Sequence, residues 1–242
     1  MTIAGFFAEG IEFQLPHPAL DNSVLLIAHE AICHAFSLLR TSPPRGFSLS
    51  AAKENVITAQ LEWVLENVLR KKGTVPGFDE RVFQKVRRGA EVTNFDGKHP
   101  SKKPDLVFDL ARDAPLVLSS LDALFVECKP VDVSHSIVQH YGALGAIRFV
   151  NGDYSWAMQE AMMVGYVRNG HTLFASLNPA FAKEPLKTLL GQPTTIVPVT
   201  GGSPSQFAEG LHVTTHHRNF SWPHGRGKAG PIRIFHSWHK CS

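Results

Sequence analysis

The chain has 242 residues, 43% of them hydrophobic and 19% charged, which suits one globular domain large enough to bury its core without disulfide or metal staples. A net charge of only +3 with histidines neutral excludes a global positive field, so any affinity for nucleic acid must come from a local basic face or from metal-neutralised carboxylates. Three widely spaced cysteines, Cys33, Cys128 and Cys241, exclude a disulfide framework and suit a reducing, cytoplasmic setting.

The first twenty residues carry at most a short strand and a turn at Pro16 and Pro18. They lack a basic segment ahead of an apolar core, and the nearby run Val24 to Ala28 is too short to span a bilayer, so no membrane association is expected. From Asn22 or Ser23 as N-cap, a helix is expected to run to Arg40, ending before Thr41-Ser42-Pro43-Pro44. His29-Glu30 and His34 lie on it. Their histidines are five apart, not four, so they diverge around the helix and do not match the metalloprotease pattern.

The next helix, about 50–70, carries an apolar stripe of Ile57, Leu61, Val64 and Val68. Glu54 falls on the line of that stripe. It either complements the helix dipole or points into a site. Glu62 and Glu66 lie off the stripe and are read as solvent-facing. A turn at Gly73 to Gly77 leads to one or two strands over 81–92, broken near Arg88-Gly89. Arg81, Lys85, Arg87, Arg88, Lys98, Lys102 and Lys103 make this the densest basic region, a solvated edge or a phosphate-gripping one.

Two strand-like runs follow, Lys102 to Leu110 and Ala123 to Pro130. In the second, side-chain alternation puts Glu127 and Lys129 on one face and Cys128 on the other. Paired edge to edge, the runs would gather Asp105, Glu127 and Lys129 into one patch. Asp109 shares a strand face with Asp105 but lies at the strand end and is read as a structural carboxylate. Apolar neighbours Phe125, Val126 and Cys128 imply burial of the Glu-Lys pair, and buried charges need partners or a metal. Two carboxylates that hold Mg²⁺ at a phosphate, with a lysine on the attacking water, are the working parts of a divalent-metal nuclease.

After Pro130 a helix can start at Ser134 or Ser136 and run towards Val150, with Gln139, His140, Tyr141 and Arg148 on it. Gln139 and Tyr141, two apart, diverge around it. A turn at Asn151-Gly152, a short helix near 155–160 and a core strand at Met162 to Val167 complete this part. Beyond it, 171–190 reads as helix interrupted at Pro179 and Pro185, and 191–210 as loop. Two strands, Leu211 to Phe220 and Ile232 to Trp238, close the chain. Six histidines fall in this last part, His212, His216, His217, His224, His236 and His239, without the spacing of a zinc site. His217 and Arg218 are placed to reach a nucleic-acid backbone from a late strand or to sit in a plain hairpin.

Pro104-Asp105 followed by Glu127-Cys128-Lys129, both on strands and flanked by helices, resembles the PD-(D/E)XK nuclease superfamily. The resemblance covers about residues 50–167, and Arg148 to Val167 is similar to stand-alone members found near bacterial defence genes. It implies an α/β restriction-endonuclease-like domain, a central mixed sheet flanked by helices, spanning 1–242 with a helical lead (1–47) and a loop-rich strand extension (171–242). It further implies a Mg²⁺-dependent endonuclease, Mn²⁺ substituting, with the metal on Asp105, Glu127 and the Cys128 carbonyl. Lys129 would orient the attacking water and Glu54 would assist. Products would carry 5′-phosphate and 3′-hydroxyl ends. DNA is favoured over RNA as substrate, with Arg87, Arg88, Lys102, Lys103, Arg148 and Arg218 as backbone contacts. A role in restriction or anti-phage defence follows, as a homodimer or with a partner subunit. Two rivals remain: a non-catalytic nucleic-acid or partner-binding module that keeps the fold, and a Cys-His hydrolase using Cys128. The second suffers because Cys128 faces away from the polar pair.

Overall fold

The computed structural model describes residues 13–112, 117–223 and 225–241. The short strand expected near the start falls mostly outside the described residues, as does His224. Helix α1 (Asn22–Thr41) begins one residue earlier than the sequence suggests, because Asp21 is the cap and its carboxylate accepts from Ser23 N at 2.7 Å. It is long and apolar enough by composition to cross a membrane, contrary to the reading of Val24 to Ala28 alone. Its buried residues, Leu25, Ala28, Ile32, Phe36 and Leu39 among them, form a helical stripe that packs into the core.

Helix α2 (Glu54–Val64) continues into π-helical Leu65–Arg70. Strands β1 (Phe83–Arg88), β2 (Leu106–Leu110) and β3 (Ala123–Val131) follow as an antiparallel meander. Helix α3, π-helical over Ile137–Ala146 and α-helical over Ile147–Val150, crosses to β4 (Glu160–Val167), which lies parallel to β3. Ser136 caps α3, as one of the two expected starts, but no helix forms over 155–160, where the chain bends tightly instead. Helical segments Leu173–Leu177 and Asn178–Phe181, then Leu186–Leu189, lead to β5 (Val197–Pro198), β6 (His212–His216) and β7 (Ile232–Lys240). Among the described residues these make one mixed seven-stranded sheet, ordered β1-β2-β3-β4-β7-β6-β5.

Every residue of β3 and β4 is buried, as the centre of a sheet covered on both faces requires. Register assigns the faces. Glu127, Met163 and His236 align across β3, β4 and β7, as do Lys129, Gly165 and Trp238; Tyr166 and His239 fall on the opposite face. Helix α3 covers the first face, where Tyr141 bonds His236. Helices α1 and α2 cover the second, where Phe36 stacks on His239 and Thr58 bonds Tyr166.

Gly165 is required by Trp238. A Cβ there would stand 2.6 Å from Trp238 Cδ1 and 2.7 Å from Nε1, inside contact distance of a fully buried ring. Gly165→Ala is therefore expected to cost about 1–3 kcal/mol of stability, read as a lower urea midpoint at unchanged slope.

Candidate functional site

β2 is shorter than β3, and that mismatch opens the site. Their pairing ends at Leu106↔Val126, so from Glu127 onward β3 has β4 on one side and, among the described residues, no strand on the other. Asp105, turned by the preceding Pro104, replaces the missing ladder bond: its Oδ2 accepts from Cys128 N at 2.8 Å. Pro130, which has no N–H to give, sits on this unpaired stretch.

Lys129 lies at the centre. Its Nζ is 2.7 Å from Glu127 Oε1, 2.9 Å from the Cys128 carbonyl, 3.3 Å from Glu54 Oε1 and 3.5 Å from Asp105 Oδ2. The four residues singled out in the sequence, on α2, ahead of β2 and on β3, thus meet around one ammonium. Side-chain exposure falls from Glu54 (34%) and Asp105 (27%) to Lys129 (11%) and Glu127 (1%), so solvent enters from the Glu54–Asp105 side. Beside Glu54 a cleft lined by Ala52, Asn55, Pro130, His135 and Arg168 continues that opening.

Helix α2 aims Glu54 because its first turn is pinned to the sheet. Thr58 gives its single hydroxyl hydrogen to the Glu54 carbonyl at 2.8 Å, so Tyr166 of β4 donates to Thr58 Oγ1 at 2.8 Å. Arg168 holds the preceding loop through the Ala52 carbonyl at 2.7 Å. The dipole and site readings of Glu54 are compatible, since it is both the first residue of α2 and a partner of Lys129.

Arg148 approaches Glu127, with Nε 3.6 Å from Oε1, and Tyr154 donates its hydroxyl to Glu127 Oε2. Three carboxylates, Glu54, Asp105 and Glu127, face one ammonium and one guanidinium, which leaves one negative charge when all are ionised. The molecule relieves this at Glu127, whose carboxyl is pushed up to about 7 by burial first and Asp105 second, against the pull of Lys129 and Arg148. Burial alone would lower the Lys129 ammonium, but Glu127, Asp105 and Glu54 outweigh it and hold it charged.

Tyr154 is the member that the sequence did not reveal. It sits in an irregular loop, where no periodicity assigns a direction, and it is fully buried. The loop is fixed by Arg218, whose guanidinium donates to the carbonyls of Gly230 (2.7 Å), Trp156 (2.9 Å), Met158 (2.9 Å) and Ser155 (3.4 Å). This corrects the reading of Arg218 as a backbone contact. It is buried and occupied by carbonyls, and it holds the segment that presents Tyr154. Of the other basic candidates, Arg87 is bidentate to Asp109 (2.7 and 2.9 Å), Lys102 pairs with Asp153 (2.9 Å) and Lys103 with Glu91 (3.0 Å), while Arg88 is exposed on edge strand β1. Asp109 is therefore the partner of Arg87, away from the Lys129 cluster. Glu66 also departs from its solvent-facing reading, since it binds Arg70 and accepts from Val86 N at 2.9 Å. Gln139 is exposed and Tyr141 is buried, as their spacing implies.

Cys128 is completely buried on the other face, and its thiol is pushed well up by burial and then by Asp105, which removes it as a nucleophile. Comparison with protein-family models, with curated proteins and with solved structures finds no match for this chain.

Proposed function

We propose that this protein is a Mg²⁺-dependent nuclease of the restriction-endonuclease-like fold, with Asp105, Glu127, Lys129 and Glu54 as its working residues. The observation that carries the reading is the convergence of three carboxylates from three separate segments on Lys129 Nζ, at 2.7, 3.3 and 3.5 Å. A mixed sheet with helices on both faces, and an acid-bearing helix ahead of the meander, supports the fold. The donor set fits a hard divalent cation. Asp105, Glu127 and the Cys128 carbonyl supply only oxygens, and with Glu127 ionised the cluster carries a surplus negative charge.

Asp105, Glu127 and the Cys128 carbonyl would hold the ion, and Glu54 would support it from the open side. Bound there, Mg²⁺ would polarise the scissile phosphodiester and acidify a water. Lys129, kept charged by its neighbours, orients that water for in-line attack and balances charge on the phosphate. Glu127 must be ionised to serve, and Tyr154 stabilises its carboxylate by hydrogen bonding. Arg148, at the rim, adds positive charge beside the same carboxylate. DNA in a cytoplasmic, anti-phage setting is the substrate and role we favour, as a homodimer or with a partner subunit.

Supercoiled plasmid, linear duplex, single-stranded DNA and RNA, each incubated with Mg²⁺, Mn²⁺ or EDTA, test the activity. Metal-dependent cutting of DNA that leaves ligatable 5′-phosphate ends is the expected result; binding of DNA without cutting under any metal would favour a non-catalytic module. Tyr154→Phe is expected to raise the Mg²⁺ concentration for half-maximal cleavage by about 10-fold or more, with little change at saturating metal. A titration of rate against Mg²⁺ measures it.

A further inference from the structure

On the sheet face away from Glu127 and Lys129, α1 and β7 bring together His29, Cys33 and His239. His29 and Cys33 are four apart on α1 and so share one side of the helix, while His239 rises from β7 beneath them. A ring nitrogen of each histidine and Cys33 Sγ lie within 4.8 Å of one another. His29 Nε2 stands 3.6 Å from Cys33 Sγ. Zinc–sulfur bonds of about 2.3 Å and zinc–nitrogen bonds of about 2.0–2.1 Å at the tetrahedral angle give a sulfur–nitrogen edge of about 3.6 Å.

The surroundings are those of a held ligand set. Ser237 Oγ is 2.8 Å from His29 Nδ1 and 2.7 Å from His239 Nε2. Its two lone pairs can accept an N–H from each ring; in that arrangement His29 Nε2 accepts from the Cys33 thiol, whose proton a metal would displace, and His239 Nδ1 keeps a free lone pair. His239 Nδ1 is buried without a hydrogen-bond partner among the described residues, in a ring only 1% exposed. A buried polar atom left in that state calls for a partner. Phe36 stacks on the same ring at 4.3 Å between centroids and limits its rotation. A cleft lined by Glu30, Cys33, His34, Arg40, Gln206 and His239 gives an entry path, and Arg40 is drawn aside by the Lys240 carbonyl and the Phe207 ring.

We infer that His29, Cys33 and His239 form a zinc site of three protein ligands, its fourth position open to the cleft, that clips α1 to β7. Two imidazoles and a thiolate suit zinc, whereas the all-oxygen set around Lys129 suits magnesium, so the sites differ in chemistry as well as in face. Burial holds both imidazoles in the neutral form that a metal needs. Burial, with Glu30 adding to it, pushes the free Cys33 thiol up to about 12, so it becomes a thiolate only as the metal displaces its proton, which passes through the cleft to solvent.

Full-length protein stripped with chelator and titrated with Co²⁺ tests the site, because a cobalt–thiolate bond gives a near-ultraviolet charge-transfer band. One equivalent of Co²⁺ should produce the band, Zn²⁺ should abolish it and Mg²⁺ should not. Cys33→Ser should lose the band, and Zn²⁺ should raise the melting temperature of the wild type but not of this variant. Circular dichroism confirms that the near-isosteric variant is folded, and His239→Gln gives a second, independent loss. Asp105→Asn should keep the band. No band at one equivalent, or a band that survives Cys33→Ser or disappears in Asp105→Asn, would overturn the assignment.

Discussion

Lys129→Ala is expected to lower metal-dependent cleavage by about 10²–10⁴-fold while the protein stays folded. The methylene stem of Lys129 packs beneath α3, where a Cβ on Gly145 would be 3.3 Å from Lys129 Cγ, so the ammonium is carried on a fixed arm. Its Nζ is shared by Glu127, Glu54, Asp105 and the Cys128 carbonyl, and removing it leaves the carboxylates repelling one another around an empty space. The variant should therefore also melt at a lower temperature than wild type without metal, and should recover more stability on adding Mg²⁺ than wild type does. Lys129→Arg should not restore activity, because a planar guanidinium cannot direct its donors to the same four oxygens. Initial rates under saturating Mg²⁺ and paired melting curves measure both effects.

Acid should weaken the fold through its buried histidines. Tyr141, His236, Thr214 and His216 form a buried hydrogen-bond chain whose polarity can be worked out. His216 Nδ1–H donates to the Leu190 carbonyl at 2.8 Å, so Nε2 accepts from Thr214 at 2.7 Å; Thr214 then accepts from His236 Nε2–H at 2.8 Å, and His236 Nδ1 accepts from Tyr141 at 3.0 Å. Each link needs a neutral imidazole. Burial lowers His216 from 6.5 to about 4, helped by His217 and opposed by the Leu190 bond, and it lowers His236 in the same direction. Between pH 6.5 and about 4 the unfolded chain binds the proton that the folded one refuses. The contribution of these histidines is thus complete above pH 6.5 and lost as pH falls towards 4. From pH 7 to pH 5 His216 alone should remove about 2 kcal/mol. Between pH 7 and pH 5 the urea midpoint of wild type should fall relative to that of His216→Asn, since Glu127, which gains a proton over the same range, acts alike in both; equal slopes in the two proteins would contradict this account.

The short-range part of the site was legible in the sequence because strand alternation fixes Glu127 against Lys129, and helical spacing puts Glu54 in line with Ile57 and Leu61. Asp105 could be paired with them because both strands were recognisable as apolar runs. Tyr154 could not be found, since its direction depends on a loop held by Arg218 from more than sixty positions away. The same limit reversed the reading of Arg218, which looks like a surface cation in a histidine-rich hairpin until the carbonyls of the 155–158 loop close around it. The His29–Cys33–His239 cluster escaped for a related reason. The helix pair i, i+4 is visible, but the third member depends on which residues of β7 face α1, and that follows from a parallel pairing with β4 that no local pattern encodes.

Diffraction from crystals grown with Mn²⁺, recorded for its anomalous signal, tests most directly that these carboxylates and Lys129 form a metal-dependent catalytic centre. The account predicts an anomalous peak bound by Asp105, Glu127 and the Cys128 carbonyl, with Lys129 Nζ moved from among the carboxylates towards the water-binding side. A peak elsewhere only, or Lys129 still bridging Glu54, Asp105 and Glu127 at saturating Mn²⁺, would contradict it.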